Sequence, residues 1–134
     1  MLRRMEKKSS ILLIDDEIEI LDVLSEVLNS WGFQTFSALN VHEAIEVLDK
    51  KNVDIVISDF KMPKENGLVA LEYIKNINTR RAVKIPFIFI SGESGMTKEE
   101  AIRKGADSYF DKPIRLIECK KIIDDLVKTL NCPT

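Results

Sequence analysis

Short apolar runs alternate with stretches of helical period along this chain. Ile11–Ile14 is a continuous apolar run, the pattern of a strand buried on both faces of a parallel sheet. From Glu17 to Trp31 the period changes to that of a helix. Ile20, Leu21, Leu24, Val27, Leu28 and Trp31 share one face, and Glu19, Asp22, Ser25, Glu26 and Asn29 share the other. Gly32 stands where a C-terminal cap belongs. Phe33–Ala38 reads as a second, more polar strand that suits a sheet edge. Asn40 with Glu43 makes a capping box that opens a helix through Lys50, with Val41, Ala44, Ile45 and Leu48 inward.

The alternation continues. Val53–Ser58 is a third predicted strand, ending at Asp59, and a helix from about Gly67 to Ile77 buries Leu68, Leu71, Ile74 and Ile77. Ile85–Ile90 is the fourth strand and the most apolar. Thr97 with Glu100 makes a second capping box, starting a short helix that stops at Gly105. Ser108–Asp111 is a short fifth strand. The last helix is predicted from Ile114 to about Leu130, burying Leu116, Cys119, Ile123, Leu126, Val127 and Leu130. This (βα)5 pattern predicts an α/β fold, a doubly wound five-stranded parallel sheet with helices on both faces and right-handed crossovers. No repeat or linker interrupts it. Residues 1–134 are therefore expected to form a single domain, with a core over 9–130 and a basic N-terminal tail over 1–8.

Composition narrows the function classes. A chain of 134 residues buries about two-thirds of its unfolded surface and needs no disulfide or metal staple. With 45% apolar and 31% charged residues, general disorder is excluded. A net charge of −2 lacks the basic excess of a nucleic-acid footprint. No apolar run approaches the ~18–20 residues that span a bilayer, and no apolar segment follows the basic N-terminus. Cys119 reads as a reduced core thiol and Cys132 as an incidental tail thiol. Together these predict a cytoplasmic protein with no membrane or direct nucleic-acid partner.

Ligands of open α/β sheets bind at the carboxyl ends of the strands. Asp15 and Asp16 follow the first predicted strand, Asp59 the third, Ser91 the fourth, and Lys112 with Pro113 the fifth. Three carboxylates crowded together repel one another, so either their pKa values rise or a cation joins them. Hard oxygen ligands select Mg²⁺, Mn²⁺ or Ca²⁺. Lys112 and Ser91 face the cluster and suit a phosphoryl group, one by charge and the other by hydrogen bonding. One carboxylate can then act as nucleophile and become an aspartyl phosphate. Taken singly, each acidic residue could be only a helix cap and Lys112 only a solvated charge; the case rests on five such positions meeting on one rim.

These residues resemble the receiver domain of two-component response regulators, similar to the stand-alone chemotaxis type. The motifs are Asp15-Asp16, the run from Asp59 to Gly67, Ser91-Gly92, and Tyr109-Phe110-Asp111-Lys112-Pro113, and the resemblance covers roughly residues 9–130. It implies the flavodoxin-like strand order 2-1-3-4-5 and a phosphorylation-activated signalling switch rather than an enzyme. Asp59 would be the phosphoacceptor, taking its phosphoryl group from a sensor histidine kinase or a histidine phosphotransfer protein. Asp16 would bind Mg²⁺ directly and Asp15 mainly through water. Asp59 and the backbone carbonyl of Lys61 would complete the ligands. Ser91 and Lys112 would contact the phosphoryl group, and Gly92 would leave its donor room to approach. Lys112–Pro113 would be a cis peptide, and Tyr109 a switch aromatic that moves inward as Ser91 swings toward the phosphate. The fourth helix, fifth strand and fifth helix would form the output face, toward a downstream target or a fused output domain. The domain would act as a monomer or a phosphorylation-dependent dimer.

Other readings use the same fold. A pseudo-receiver interaction module would have lost an acidic or lysine position, and none is lost. A haloacid-dehalogenase-like phosphatase would want an acid two residues after Asp59, where Lys61 stands. A flavodoxin-like redox protein would want a hydroxyl- and Gly-rich loop where Asp15-Asp16-Glu17 stands. Lys61 and Glu93 flank the rim and could pair across its mouth or stay solvated. His42 is expected on the solvated face of the second helix, Trp31 in the core or in helix-end packing, and Lys120, Lys121, Asp124 and Asp125 on a solvated face.

Overall fold

The predicted alternation is present throughout the computed structural model, which describes residues 8–63, 65–92 and 96–131. The elements run β1 (Ser10–Ile14), α1 (Ile18–Ser30), β2 (Gln34–Ala38), α2 (Val41–Lys50), β3 (Ile55–Asp59), α3 (Gly67–Asn78), β4 (Phe87–Ser91), α4 (Lys98–Lys104), β5 (Ser108–Asp111) and α5 (Leu116–Asn131). All strand pairings are parallel, in the order β2-β1-β3-β4-β5. This is the expected flavodoxin-like order.

Side chains alternate across the sheet and divide the core in two. Ile11, Leu13, Ile55, Ile57, Ile88 and Ile90 pack with Leu21, Leu24 and Leu28 of α1 and with Cys119 and Ile123 of α5. Leu12, Ile14, Val56, Phe87 and Phe89 face α2, α3 and α4 through Val41, Ala44, Leu71, Ile74 and Ala101. Each such large side chain contributes about 1.5–3 kcal/mol by leaving water. Both faces are covered, so the strands read as unbroken apolar runs. β2, at the edge, is the polar one, with a partly exposed Gln34–Ala38.

Caps set the helix ends. Thr97 and Glu100 form a complete capping box, and Gly105 ends α4 at φ 116°, the left-handed region open to glycine. At α2 only half of the expected box forms. Asn40 Oδ1 accepts from Glu43 N–H at 2.8 Å, but Glu43 Oε1 reaches one residue further back, to Leu39 N–H, also at 2.8 Å.

The last helix departs from expectation. It starts at Leu116 rather than Ile114, and Leu116 is 44% exposed instead of buried. The inward stripe begins one turn later, at Cys119, and continues through Ile123. Leu116 instead joins Ile20, Val23, Leu24, Pro113 and Ile114 along a groove of about 970 Å³ beside α1. Cys119 is buried as expected; Cys132, the side chain of Leu130 and the tail over residues 1–7 lie outside the described residues. Among the described residues no helix is long and apolar enough to cross a membrane.

Candidate functional site

Strand register levels the rim. Ile14 pairs with Ser58, so Asp15 emerges beside Asp59. Asp59 pairs with Ile90, and Ser91 with Asp111, so Ser91 and Lys112 extend the rim to the far edge. Backbone bonds hold it flat: Asp15 N–H to Ala38 O (3.1 Å), Phe60 N–H to Ile90 O (3.0 Å) and Lys112 N–H to Ser91 O (3.0 Å). The Lys112–Pro113 peptide is cis, as expected.

The three carboxylates converge. Asp15, Asp16 and Asp59 each place an oxygen within 4.8 Å of the others, with Asp15 and Asp59 buried and Asp16 exposed. Lys112 Nζ lies between the buried pair, 3.4 Å from Asp59 Oδ1 and 3.7 Å from Asp15 Oδ2. The other oxygen of Asp15 accepts the Glu17 N–H at 2.9 Å. Burial is the main force on these acids. It pushes Asp15 up to about 6, against the opposing Glu17 hydrogen bond, with Asp59 adding repulsion. Asp59 is raised for the same reason, partly offset by Lys112. The expected rise therefore occurs at these two residues, with desolvation ahead of mutual repulsion as its cause. Lys112 is itself raised: burial opposes its charge, but Asp15 and Asp59 outweigh that.

Three carboxylates against one ammonium leave the rim two positive charges short. All the donors are hard oxygens. That charge deficit and donor set fit a divalent cation of the Mg²⁺ class.

Ser91 is buried at the end of β4, and its hydroxyl makes a long 3.4 Å bond to the Gly92 carbonyl. Tyr109 lies two residues into β5 on the same face as Ser91, with its ring already inward. Its hydroxyl donates to the Met96 carbonyl at 2.7 Å. Burial raises the Tyr109 phenol, a Ser91 hydrogen bond lowers it, and Asp111 raises it. Among the described residues a Cβ on Gly92 would touch only Lys112 Cδ, at an ordinary 3.9 Å. Lys61 is exposed at the mouth; Glu93, its expected partner, lies outside the described residues.

The sequence alone assigns no role to two residues of the site. Ser58 and Gly67 crowd the main chain of Asp59. Neither carries a charge, and a serine inside a strand has no signature of its own. The remaining candidates lie away from the rim. His42 is exposed and sits 3.5 Å from Glu46, Trp31 is half-buried under the Lys120 ammonium at 5.8 Å, and Lys120 pairs with Asp124 at 2.8 Å.

Comparison with known proteins identifies the family and the fold. The family model of the response regulator receiver domain matches residues 11–124. The chain is 32% identical over 113 residues to sporulation initiation phosphotransferase F of Bacillus subtilis, covering 84% of this chain and 89% of that one. It is 32% identical over 109 residues to the regulatory protein VanR of Enterococcus faecium, covering 81% of this chain but only 45% of VanR, less than half its length. A solved receiver domain of an HD domain-containing protein from Pseudomonas fluorescens superposes with a TM-score of 0.83 at 22% identity, over 95% of this chain and 100% of that one, which is a likeness of fold. By that family match over residues 11–124 and by the relative matched over most of its length, the chain belongs to the response regulator receiver domains of two-component systems.

Proposed function

We propose that this chain is a phosphorylation-activated signalling switch. It accepts a phosphoryl group on Asp59 from the phosphohistidine of a sensor histidine kinase or a histidine phosphotransfer protein. The observation that carries this reading is Lys112 Nζ, 3.4 Å from Asp59 Oδ1 and 3.7 Å from Asp15 Oδ2, beside the cluster of three carboxylates. A carboxylate oxygen of Asp59 attacks phosphorus, and an acyl phosphate P–O bond forms as the P–N bond to the donor breaks. The bonding pair stays on the imidazole nitrogen, which leaves and takes a proton from solvent. Lys112 holds positive charge where phosphoryl oxygens arrive, and the loosely bonded Ser91 hydroxyl is available to donate to one of them. Asp15, Asp16, Asp59 and the Lys61 carbonyl would hold Mg²⁺, or Mn²⁺ in its place. That cation would supply the positive charge the rim lacks.

The response would run through Ser91 and Tyr109 to the face of α4, β5 and α5, because Tyr109 joins the edge strand to the start of α4. A downstream target or a fused output domain would read that face, with the domain as a monomer or a phosphorylation-dependent dimer. Residues 1–134 would act as one domain in the cytoplasm, without membrane or direct nucleic-acid contact. The domain is a switch rather than an enzyme with a separate substrate.

Mass spectrometry after incubation with Mg²⁺ and acetyl phosphate tests this. Wild type should gain roughly 80 Da, one phosphoryl group, in a hydroxylamine-labile form. Asp59→Asn should not. A chain that takes no label but still binds its partner would instead be a phosphorylation-independent interaction module.

A further inference from the structure

The chemistry at the rim depends on where the Asp59 main chain stands, and two otherwise unused residues define that position. Side chains alternate along β3, so Ser58 points to the α3 side, away from the direction of Asp59. Ser58 is fully buried, and its hydroxyl donates to the Asp59 carbonyl at 2.8 Å. Gly67, the first residue of α3, donates its N–H to the Phe60 carbonyl at 2.7 Å. A Cβ on Gly67 would lie 2.6 Å from the Asp59 carbonyl oxygen, 2.7 Å from Phe89 Cε1 and 3.2 Å from Ser58 Oγ. Two of those distances are closer than real Cβ atoms come, and the nearest atom is backbone. Glycine is therefore demanded by space.

The Asp59–Phe60 peptide is thus gripped on three sides. The Phe60 N–H is bonded into β4 at 3.0 Å, the Asp59 carbonyl is held by Ser58, and the first turn of α3 is pressed against that carbonyl. A small residue such as alanine would fill the Ser58 site with less polar surface to bury. What the hydroxyl adds is a bond to the carbonyl of the residue whose carboxylate stands at Lys112.

We propose that Ser58 and Gly67 are positioning residues for phosphoryl transfer, fixing the Asp59 main chain so that its carboxylate stands at Lys112. This rests on Asp59 being the phosphoacceptor. Neither residue touches the reacting atoms.

The test is labelling by acetyl phosphate with Mg²⁺, measured as rate against donor concentration. Ser58→Ala removes the hydroxyl and little volume, so it keeps the fold. Its maximal rate should fall about tenfold or more while the half-saturating donor concentration stays within about twofold, because positioning acts on the reacting geometry and not on donor binding. Gly67→Ala should fall further. Val53→Ala, a buried truncation just before β3 at the far end of the sheet, should lose stability yet label at the wild-type maximal rate. If Ser58→Ala labels as fast as wild type, the positioning role is overturned and the proposed function stands. If Val53→Ala slows as much as Ser58→Ala, the effect is general loosening and the positioning role is again overturned. If wild type takes no label on Asp59, the proposed function fails, and this inference with it.

Discussion

The Tyr109 hydroxyl donates to the Met96 carbonyl at 2.7 Å, a buried bond between the edge strand and the residue leading into α4. Tyr109→Phe keeps the ring and leaves that carbonyl without its partner. An unsatisfied buried polar group costs about 1–3 kcal/mol. The variant should melt several degrees lower, and amide exchange should rise in α4 more than in α1. Equal protection of α4 in both proteins would show that the bond does not hold this helix in place.

Acid should stabilise the metal-free protein through Asp15. Its carboxyl is raised from 3.8 to about 6, so the folded state holds a proton that the unfolded chain has released. The contribution is full below the ordinary carboxylate pKa and is lost as pH rises through about 6. A shift of that size corresponds to roughly 3 kcal/mol. Asp15→Asn cannot titrate. In EDTA, its stability relative to wild type should therefore grow between pH 4 and pH 7. A difference independent of pH would contradict the raised pKa.

Mg²⁺ should reverse the penalty by binding the folded cluster and not the unfolded chain. At ten times its dissociation constant it adds about 1.4 kcal/mol, and at a hundred times about 2.7 kcal/mol. Asp59→Asn should stabilise the metal-free form by removing a buried, desolvated charge, and should shrink the Mg²⁺ effect by removing a ligand. Thermal melts of both proteins in EDTA and in excess Mg²⁺ check this. A wild-type melt indifferent to Mg²⁺, with metal-free Asp59→Asn below wild type, would mean that the carboxylates do not act as one cluster.

Gly92 offers a separable test of access. Among the described residues a Cβ there meets only Lys112 Cδ, at an ordinary 3.9 Å, so Gly92→Ala should change stability by less than about 1 kcal/mol. If the bare backbone leaves room for the donor, the variant should label more slowly from a phosphohistidine protein than from acetyl phosphate, each relative to wild type. Equal slowing with both donors would place the effect on Ser91 or Lys112 instead.

The fold was legible because two periodicities alternate without interruption and both sheet faces are covered. Ile11–Ile14 and Ile85–Ile90 could hardly lie anywhere but inside. The rim was legible for a different reason: Asp15, Asp16, Asp59 and Lys112 are charged residues set directly against apolar runs. What escaped notice carries no such contrast. Leu116 fits the apolar spacing of α5, but the helix starts two residues late and leaves it beside α1. Ser58 looks like a polar residue tolerated in a strand, and only its direction and its 2.8 Å bond give it a role. The cause of the raised acids was misjudged for a related reason: sequence displays neighbouring charges but not the depth at which they lie.

The level register of the strand ends also bears on how such a chain can change length. Asp15, Asp59 and Lys112 meet because β1, β3 and β5 each end at a matching height. One residue inserted within any of these strands would advance its end by about 3.3 Å and turn every later side chain to the opposite face. Asp59 would then point where Ser58 now points. Insertions or deletions should thus be nearly forbidden inside these strands, yet tolerated in the turns at the other rim, such as Thr79–Lys84, where backbone is exposed and no reacting group is set. Length variation in this architecture is polarised from one end of the sheet to the other.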